Sequence, residues 1–332
     1  MRGLHVDSLR DVSIVITCYN KIIHLNHFES QLLNYYHLSP EIIIVDDYSV
    51  DGSREHILGL MTTFPNIEVV LNTENKGSAE TRNIALEKAS RDFVFFLDID
   101  DQIDVAVLET MAKIAVDESA DLCRGGYTIL DSTQEDQTFN QKPTIIKGEI
   151  SDNSYAIAED MGYWRYLYSR SFLEKNGIKF LPTASQLSRG YFILDDAFFM
   201  ILVASVKGKI VFMNNYPPVY KYFQGIHNQE TWRKFQNQAQ WFARASILCY
   251  EYVHKRGNFS LDIFSSLLAN KTMSHMRYLS LLNWFNAIAD LIRFFKHCLL
   301  INNLFTLFRF IRISLLFALK NSIAFRIQRR DS

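Results

Sequence analysis

The chain has 332 residues, 48% hydrophobic and 21% charged, enough length and apolar content for a large buried core. Its four cysteines, Cys18, Cys123, Cys249 and Cys298, are widely spaced, which excludes a zinc-ligand cluster or a disulfide framework. The net charge of −1 divides unevenly: residues 281–332 hold eight Lys or Arg against Asp290 and Asp331, a formal +6, leaving −7 for the rest.

Val12–Thr17 reads as a buried strand that breaks at Cys18-Tyr19-Asn20, before a helix over Ile22–Tyr36. Glu41–Val45 is a second strand, and it ends in Asp46 and Asp47. The turn Tyr48–Ser53 follows, with Ser53 or Asp51 able to cap the next helix. Ile67–Leu71 makes a third strand. A polar loop from Asn72 to Gly77 leads into a helix over Ser78–Ala89. Phe93–Leu97 is the fourth strand. Short buried strands alternating with helices predict an α/β fold, a mostly parallel sheet with helices on both faces. In such sheets ligands sit beyond the carboxyl ends of the strands, where Tyr19, Asp46, Asp47 and Asp98 fall.

The fourth strand is the most telling. Asp98, Asp100 and Asp101 crowd its tip, and like charges held together repel and lose solvation. A divalent cation, Mg²⁺ or Mn²⁺, relieves that cost, because hard cations take carboxylate oxygens and leave positions open for phosphate. An apolar strand followed by Asp-x-Asp therefore points to a metal site for a diphosphate. The alternative reading is a solvated turn whose acids cap helices.

Four segments, VSIVITCYN (12–20), EIIIVDDYSVDGS (41–53), NKGSAETRNIALEKA (75–89) and FVFFLDIDD (93–101), resemble family 2 glycosyltransferases of the GT-A (Rossmann-like) fold in order and spacing. The resemblance covers roughly the first hundred residues. It implies transfer of a sugar from a nucleotide diphosphate donor to an acceptor hydroxyl, with inversion, and a UDP-sugar as donor. By the same resemblance, Thr17, Tyr19, Asp46 and Asp47 belong to the pocket for base and ribose. Arg82 lies near the nucleotide, and Asn75 and Gly77 belong to the loop leading into its helix, whose amino-terminal N–H groups face donor phosphate. Asp98 faces the ribose or a metal-bound water, and Asp100 is the direct metal ligand. Asp101 is a helper or a cap for a helix near Val105. The chain departs from the family pattern at Thr17-Cys18, Tyr48 and Thr81, and Tyr48 bears on base and donor preference.

Inverting transfer needs a general base for the acceptor hydroxyl. Phe192–Phe199 resembles the family's acid pair followed by an aromatic, which makes Asp196 the base and Asp195 an acceptor-binding or orienting group; the pair also suits the start of an apolar helix over Ala197–Val206. Upstream, Trp164 belongs to a segment that resembles the family's tryptophan segment and presents an aromatic face to a sugar, unless it is core. Downstream, the tyrosine segment Pro218–Gly225 carries Lys221, and His227 follows, either near the metal and diphosphate or on a surface loop.

One catalytic domain is expected over residues 1–225, with a nucleotide-sugar half (1–101) and an acceptor half (102–225). A helical extension is expected over 226–332. Within the tail the longest uncharged run, Cys298–Phe308, falls short of the roughly 20 residues a spanning helix needs. Asn302, Arg309, Arg312 and Lys320 fall on one side of a helical wheel and Leu304, Leu307, Ile311 and Leu315 largely opposite. Such basic amphipathic helices lie on anionic membrane surfaces, so residues 281–330 are expected either to bind the inner face of a bacterial cytoplasmic membrane or to pack on the catalytic domain or another subunit of a homo-oligomer. Nucleic acid is not an expected partner, because the positive charge sits on apolar helices rather than an exposed stripe. Met1–Arg10 is short and mixed in charge, unlike a signal peptide, and points to the cytoplasm. The acceptor is expected to be a glycan or a lipid-linked oligosaccharide of surface polysaccharide synthesis. Two other readings share features of the chain. A sugar-phosphate nucleotidylyltransferase needs a glycine-rich basic loop after the first strand, where Thr17-Cys-Tyr-Asn20 stands instead. A non-catalytic scaffold of the same fold is opposed by the intact acid sets.

Overall fold

The computed structural model describes residues 9–130, 143–160, 162–181, 195–223 and ten positions between 252 and 267. These fall into two compact units. The first comprises Met1–Asn153, Gly162–Phe180 and Lys207–Gly225; the second comprises Ser154–Met161, Leu181–Val206 and Ile226–Ser332. This division departs from a single boundary at 225, since two internal segments group with the second unit.

The first unit is built on an eight-stranded sheet. Its amino-terminal half holds β1 (Val12–Cys18), β2 (Glu41–Asp46), β3 (Ile67–Leu71) and β4 (Phe93–Asp98). The remaining strands are β6 (Leu122–Arg124), β8 (Thr144–Glu149), β9 (Tyr166–Ser169) and β10 (Lys209–Asn214), in the order β3-β2-β1-β4-β9-β6-β10-β8. β9 runs antiparallel to both neighbours and β8 is antiparallel to β10, while the other pairs are parallel. A second sheet joins β5 (Gln102–Ile103), β11 (Pro218–Phe223) and β7 (Gly126–Leu130).

The near-continuous apolar runs of β1, β2 and β4 follow from burial on both faces. Alternate residues point to opposite sides. Ile14, Ile16, Ile42, Ile44, Phe95 and Leu97 share one core with residues of α1 (Ile22–Tyr35), α2 (Ser53–Thr63) and α4 (Val105–Asp117). On the other side Phe96 meets Tyr163, Tyr168 and Phe180 edge-to-face, at centroid distances of 5.4–5.7 Å. α3 (Ser78–Lys88) packs on β1 and β2. A short helix, α6 (Arg170–Asn176), closes on Gly177 in a left-handed conformation, φ 62°.

Strand order reverses between β1 and β4, the place where open α/β sheets bind ligands. At the far edge β8 is exposed along nearly its whole length and carries Lys147, which suits an edge strand.

The second unit holds α5 (Ser154–Glu159) and α7 (Asp195–Ala204), which pack on each other. α7 is buried on nearly every side, consistent with its run of Phe, Met, Ile, Leu and Val. His227 and the expected basic tail at 281–330 lie outside the described residues.

Candidate active site

Parallel pairing brings three strand tips level: Cys18 of β1 lies opposite Asp46 of β2, and Thr17 opposite Asp98 of β4. Beyond the tips, backbone bonds continue the alignment. The Asp47 N–H donates to the Cys18 carbonyl at 2.8 Å, and the Asn72 N–H to the Asp46 carbonyl at 2.9 Å.

The two loops that follow β1 and β2 are stitched together by side chains. The Asn20 N–H donates to Ser49 Oγ, and Asn20 Oδ1 accepts from the Val50 N–H, both at 2.9 Å. The Lys21 N–H donates to Ser53 Oγ and the Ile22 N–H to Asp51 Oδ2, each at 3.0 Å. Asn20 and Tyr48 both take left-handed backbone, at φ 52° and 67°. For Tyr48 that conformation carries strain which glycine would not feel. The result is a pair of aromatic rings left in solvent, Tyr19 at 48% and Tyr48 at 44% exposure, with the Arg54 guanidinium 5.6 Å from the Tyr48 ring centre. α2 begins after Gly52 with no side-chain cap; Asp51 Oδ1 instead takes the Ser53 N–H at 3.0 Å.

Asp46, the last residue of β2, and Asp47, just past it, do different work. Asp46 is fully buried, and its Oδ2 accepts from the Ser49 N–H and from Arg54 Nε at 3.1 and 3.2 Å. Its Oδ1 meets no donor. Asp46 thus faces inward through Oδ2 and shapes the turn. Asp47 is 4% exposed and organises the next loop. Its Oδ1 accepts from Asn72 Nδ2 and the Lys76 N–H at 2.9 and 2.8 Å, and its Oδ2 from the Gly77 N–H at 2.9 Å. The Lys76 and Gly77 N–H groups thus point at a carboxylate of the protein. Gly77 takes φ 82° to enter α3, and Asn75 is exposed.

Arg82 leaves α3 between two aromatic rings, 4.8 Å from the Tyr163 centroid and 5.3 Å from that of Phe180. It reaches Asp98 Oδ1 at 3.3 Å, and the Thr17 hydroxyl approaches the same oxygen at 3.4 Å. Asp100 forms an ion pair with Lys21, and both remain partly exposed. Asp101 is buried and accepts the Tyr220 hydroxyl at 2.7 Å, while the Asp98 N–H donates to the Tyr220 oxygen at 3.2 Å. Burial, then the charges of Asp98 and Asp101, push the Tyr220 phenol well above its usual range, so it stays a donor. The cap of α4 is Asp104, which takes the Val107 N–H at 3.1 Å, not Asp101.

The structure therefore brings Thr17, Arg82 and Asp98 into one contact group, sets Asp100 against Lys21, and leaves Tyr19 open at the neighbouring tip. Trp164 is half-buried, 4.3 Å from the Tyr220 ring and stacked 5.9 Å from Tyr222. In the second unit Asp195 is buried and Asp196 partly exposed, both in the first turn of α7. Among the described residues no three His, Cys, Asp or Glu gather around one metal position. Asp98 and Asp100 supply two carboxylates, a donor set that suits a hard cation whose remaining positions go to phosphate and water. Lys21 and Tyr220 were not picked out by sequence reasoning. Lys21 directly follows the Tyr-Asn break, and Tyr220 sits in the tyrosine-rich stretch 218–222.

Comparison with known proteins fits this geometry. The model of Glycosyl transferase family 2 matches residues 13–177. TuaG of Bacillus subtilis (strain 168), a glycosyltransferase named for teichuronic acid biosynthesis, is 34% identical over 184 residues, 48% of this chain and 73% of that protein. An uncharacterized glycosyltransferase of Haemophilus influenzae is 32% identical over 120 residues, 36% of this chain; the match spans only 48% of that relative's length. Among solved structures, S. aureus TarS (1–349) in complex with UDP-GlcNAc aligns with a TM-score of 0.54 at 16% identity, over 86% of this chain and 89% of that one. The mannosyltransferase PcManGT from Pyrobaculum calidifontis, in complex with GDP-Man and Mn²⁺, gives 0.53 at 14%, over 96% and 88%. At such identities the likeness speaks for the fold, and the fold is GT-A. With the identity to TuaG extending over 73% of that protein, the chain belongs to glycosyl transferase family 2.

Proposed function

We propose that this protein is an inverting glycosyltransferase that moves a sugar from a UDP-sugar to a hydroxyl of a bacterial surface glycan or its lipid-linked precursor. The observation that carries the reading is the meeting of Thr17, Arg82 and Asp98 at the switch point, with Lys21 and Asp100 beside them. The UDP-GlcNAc complex of TarS and the teichuronic acid connection of TuaG support the donor and the acceptor class.

In this reading the exposed Tyr19 ring stacks on the base, and Asp47 keeps the loop at Asn75–Gly77 in shape beside it. Asp98, steadied by Arg82 and Thr17, takes ribose hydroxyls. Lys21 and Arg82 offset the charge that builds on the departing diphosphate. A divalent cation, as in the PcManGT complex, would be held by Asp100 with Asp98 nearby, and supplies further charge stabilisation when bound. The acceptor oxygen attacks C1 from the face opposite the diphosphate. The bond from C1 to the diphosphate oxygen breaks with its electron pair, and the acceptor proton passes to Asp196. Asp195 and Trp164 contribute to the acceptor side.

The test is a panel of nucleotide sugars with Mn²⁺ or Mg²⁺, scored for nucleotide release with glycan and glycolipid acceptors. UDP-sugars should support turnover, Asp100→Ala should abolish the metal-dependent part, and Asp196→Asn should bind donor without transferring. Transfer by Asp196→Asn at the wild-type rate would remove the base assignment. Attachment to anionic membrane through residues 281–330 belongs to the same proposal. Among the described residues no helix is long and apolar enough to cross a membrane. Loss of residues 281–332 should release the protein from anionic vesicles, and unchanged co-sedimentation would defeat that part.

A further inference from the structure

Along the same sheet edge as Asp98, but two strands further out, lies a cleft of about 340 Å³ that the donor site does not use. Its walls include Arg124, Arg165, Tyr127, Asn214, Asn215 and Tyr216. The topology places them together. β6 and β10 run parallel to each other, and β6 is antiparallel to β9, which is antiparallel to β4. Arg124 closes β6, Asn214 closes β10, and Arg165 immediately precedes β9, so all three reach the edge where β4 ends. At about 4.8 Å between strands, β6 lies about 10 Å from β4.

The charge of the cleft is opposite to that of the donor rim. Among the described residues its lining includes two arginines and no carboxylate, whereas Asp46, Asp47, Asp98, Asp100 and Asp101 fall at the other end. A guanidinium is charged at every accessible pH and offers paired donors that match a carboxylate or a phosphate. Arg165 is 9% exposed and lies 4.9 Å from the Tyr127 ring centre, which fixes its direction. Tyr127 itself is 47% exposed and braced edge-on by Trp164 at 5.2 Å, leaving an aromatic face for the C–H side of a sugar ring. Gly125 is required between Arg124 and Tyr127: a Cβ there would meet Val219 Cγ1 at 2.6 Å and Met111 Sδ at 3.0 Å.

We infer that this cleft is an acceptor subsite for an acidic glycan, in which Arg124 and Arg165 hold a carboxylate or phosphate and Tyr127 carries the adjoining sugar. The inference rests on the glycosyltransferase reading for the word acceptor; the preference for acidic saccharides stands on the cleft itself. The subsite selects which chain is extended, a step removed from the bond that forms.

The test uses the full chain with UDP and Mn²⁺ present, so that phosphate probes do not occupy the donor site. Two matched pairs are titrated by saturation-transfer NMR: a glucuronate tetrasaccharide against its glucose counterpart, and a four-unit ribitol phosphate oligomer against ribitol. At least one acidic member should bind about tenfold or more tightly than its neutral partner, and which one does so tells carboxylate from phosphate. Arg124→Gln should erase that preference, Arg124→Lys should restore part of it, and Tyr127→Ala should weaken acidic and neutral members alike. UDP affinity, measured separately, should stay unchanged in all three variants and reports that they fold. Equal binding of acidic and neutral probes overturns the inference, as does an Arg124→Gln protein that keeps the preference. Failure of UDP to bind the wild type counts against the glycosyltransferase reading instead, and the acid-to-neutral comparison still decides the cleft.

Discussion

Tyr220 shows how a single hydroxyl can hold an acidic turn in shape. Its hydroxyl donates a hydrogen bond to Asp101 at 2.7 Å and accepts one from the Asp98 N–H at 3.2 Å, so β11 is latched to the tip of β4. Tyr220→Phe removes one group and disturbs both bonds inside a buried pocket, which costs about 1–3 kcal/mol. Urea unfolding should show that loss with an unchanged slope, and donor affinity should fall as Asp98 loosens; an unchanged midpoint would show that the latch is idle. The acids at this tip were legible in sequence because Asp-x-Asp after an apolar run is electrostatically odd. Their pairing was not, even for Arg82, which the resemblance sets near the nucleotide. Lys21, Arg82 and Tyr220 come from 79, 16 and 122 residues away in chain distance, and only the folded sheet brings them to Asp100 and Asp98.

Whole elements were easier to read than individual bonds. β1 to β4 and the helices between them stand where hydrophobic runs placed them, because strands buried on both faces leave little freedom in sequence. The antiparallel insertion of β9, and the small sheet of β5, β11 and β7, have no comparable signature: each is short and partly polar. Nor does a sequence say where a carboxylate points, so Asp46 and Asp47 looked alike. The loop before α3 depends on Asp47, which gathers Asn72, Lys76 and Gly77 through both oxygens. Asp47→Asn keeps the size but turns one acceptor into a donor. At least one of these contacts must then fail, in a site that is 4% exposed. Because α3 carries Arg82, the fault should spread to the active site. Amide hydrogen exchange at Lys76 and Gly77 should rise, and UDP affinity should fall about tenfold, one charge-assisted bond's worth. Exchange that stays slow at Gly77 would show that the loop is held by other means.

Across the whole molecule, the ends of the sheet divide stability from chemistry. The proposed site lies at the carboxyl ends of β1, β2 and β4, while their amino ends are tied by Glu41. Its Oε2 accepts from Ser13 Oγ at 2.5 Å and from the Ser90 N–H at 2.8 Å, and its Oε1 from Ser90 Oγ at 2.5 Å. Burial alone would raise this carboxyl, but the donors from Ser13 and Ser90, with Arg91 nearby, outweigh it and hold it below the usual glutamate range. A carboxyl that titrates lower in the folded state than in the unfolded chain stabilises the fold fully above the unfolded value, about 4.3. That contribution fades as pH falls through the lower folded value. Glu41→Gln, which can offer only one accepting oxygen, should therefore lower Tm by a few degrees at neutral pH, and the gap to wild type should close only below about pH 4. Donor affinity should not change, since no site residue touches Glu41. A gap that persists unchanged into strong acid would mean that Glu41 acts through its shape and not its charge, and a loss of donor affinity would mean that the two ends of the sheet are coupled.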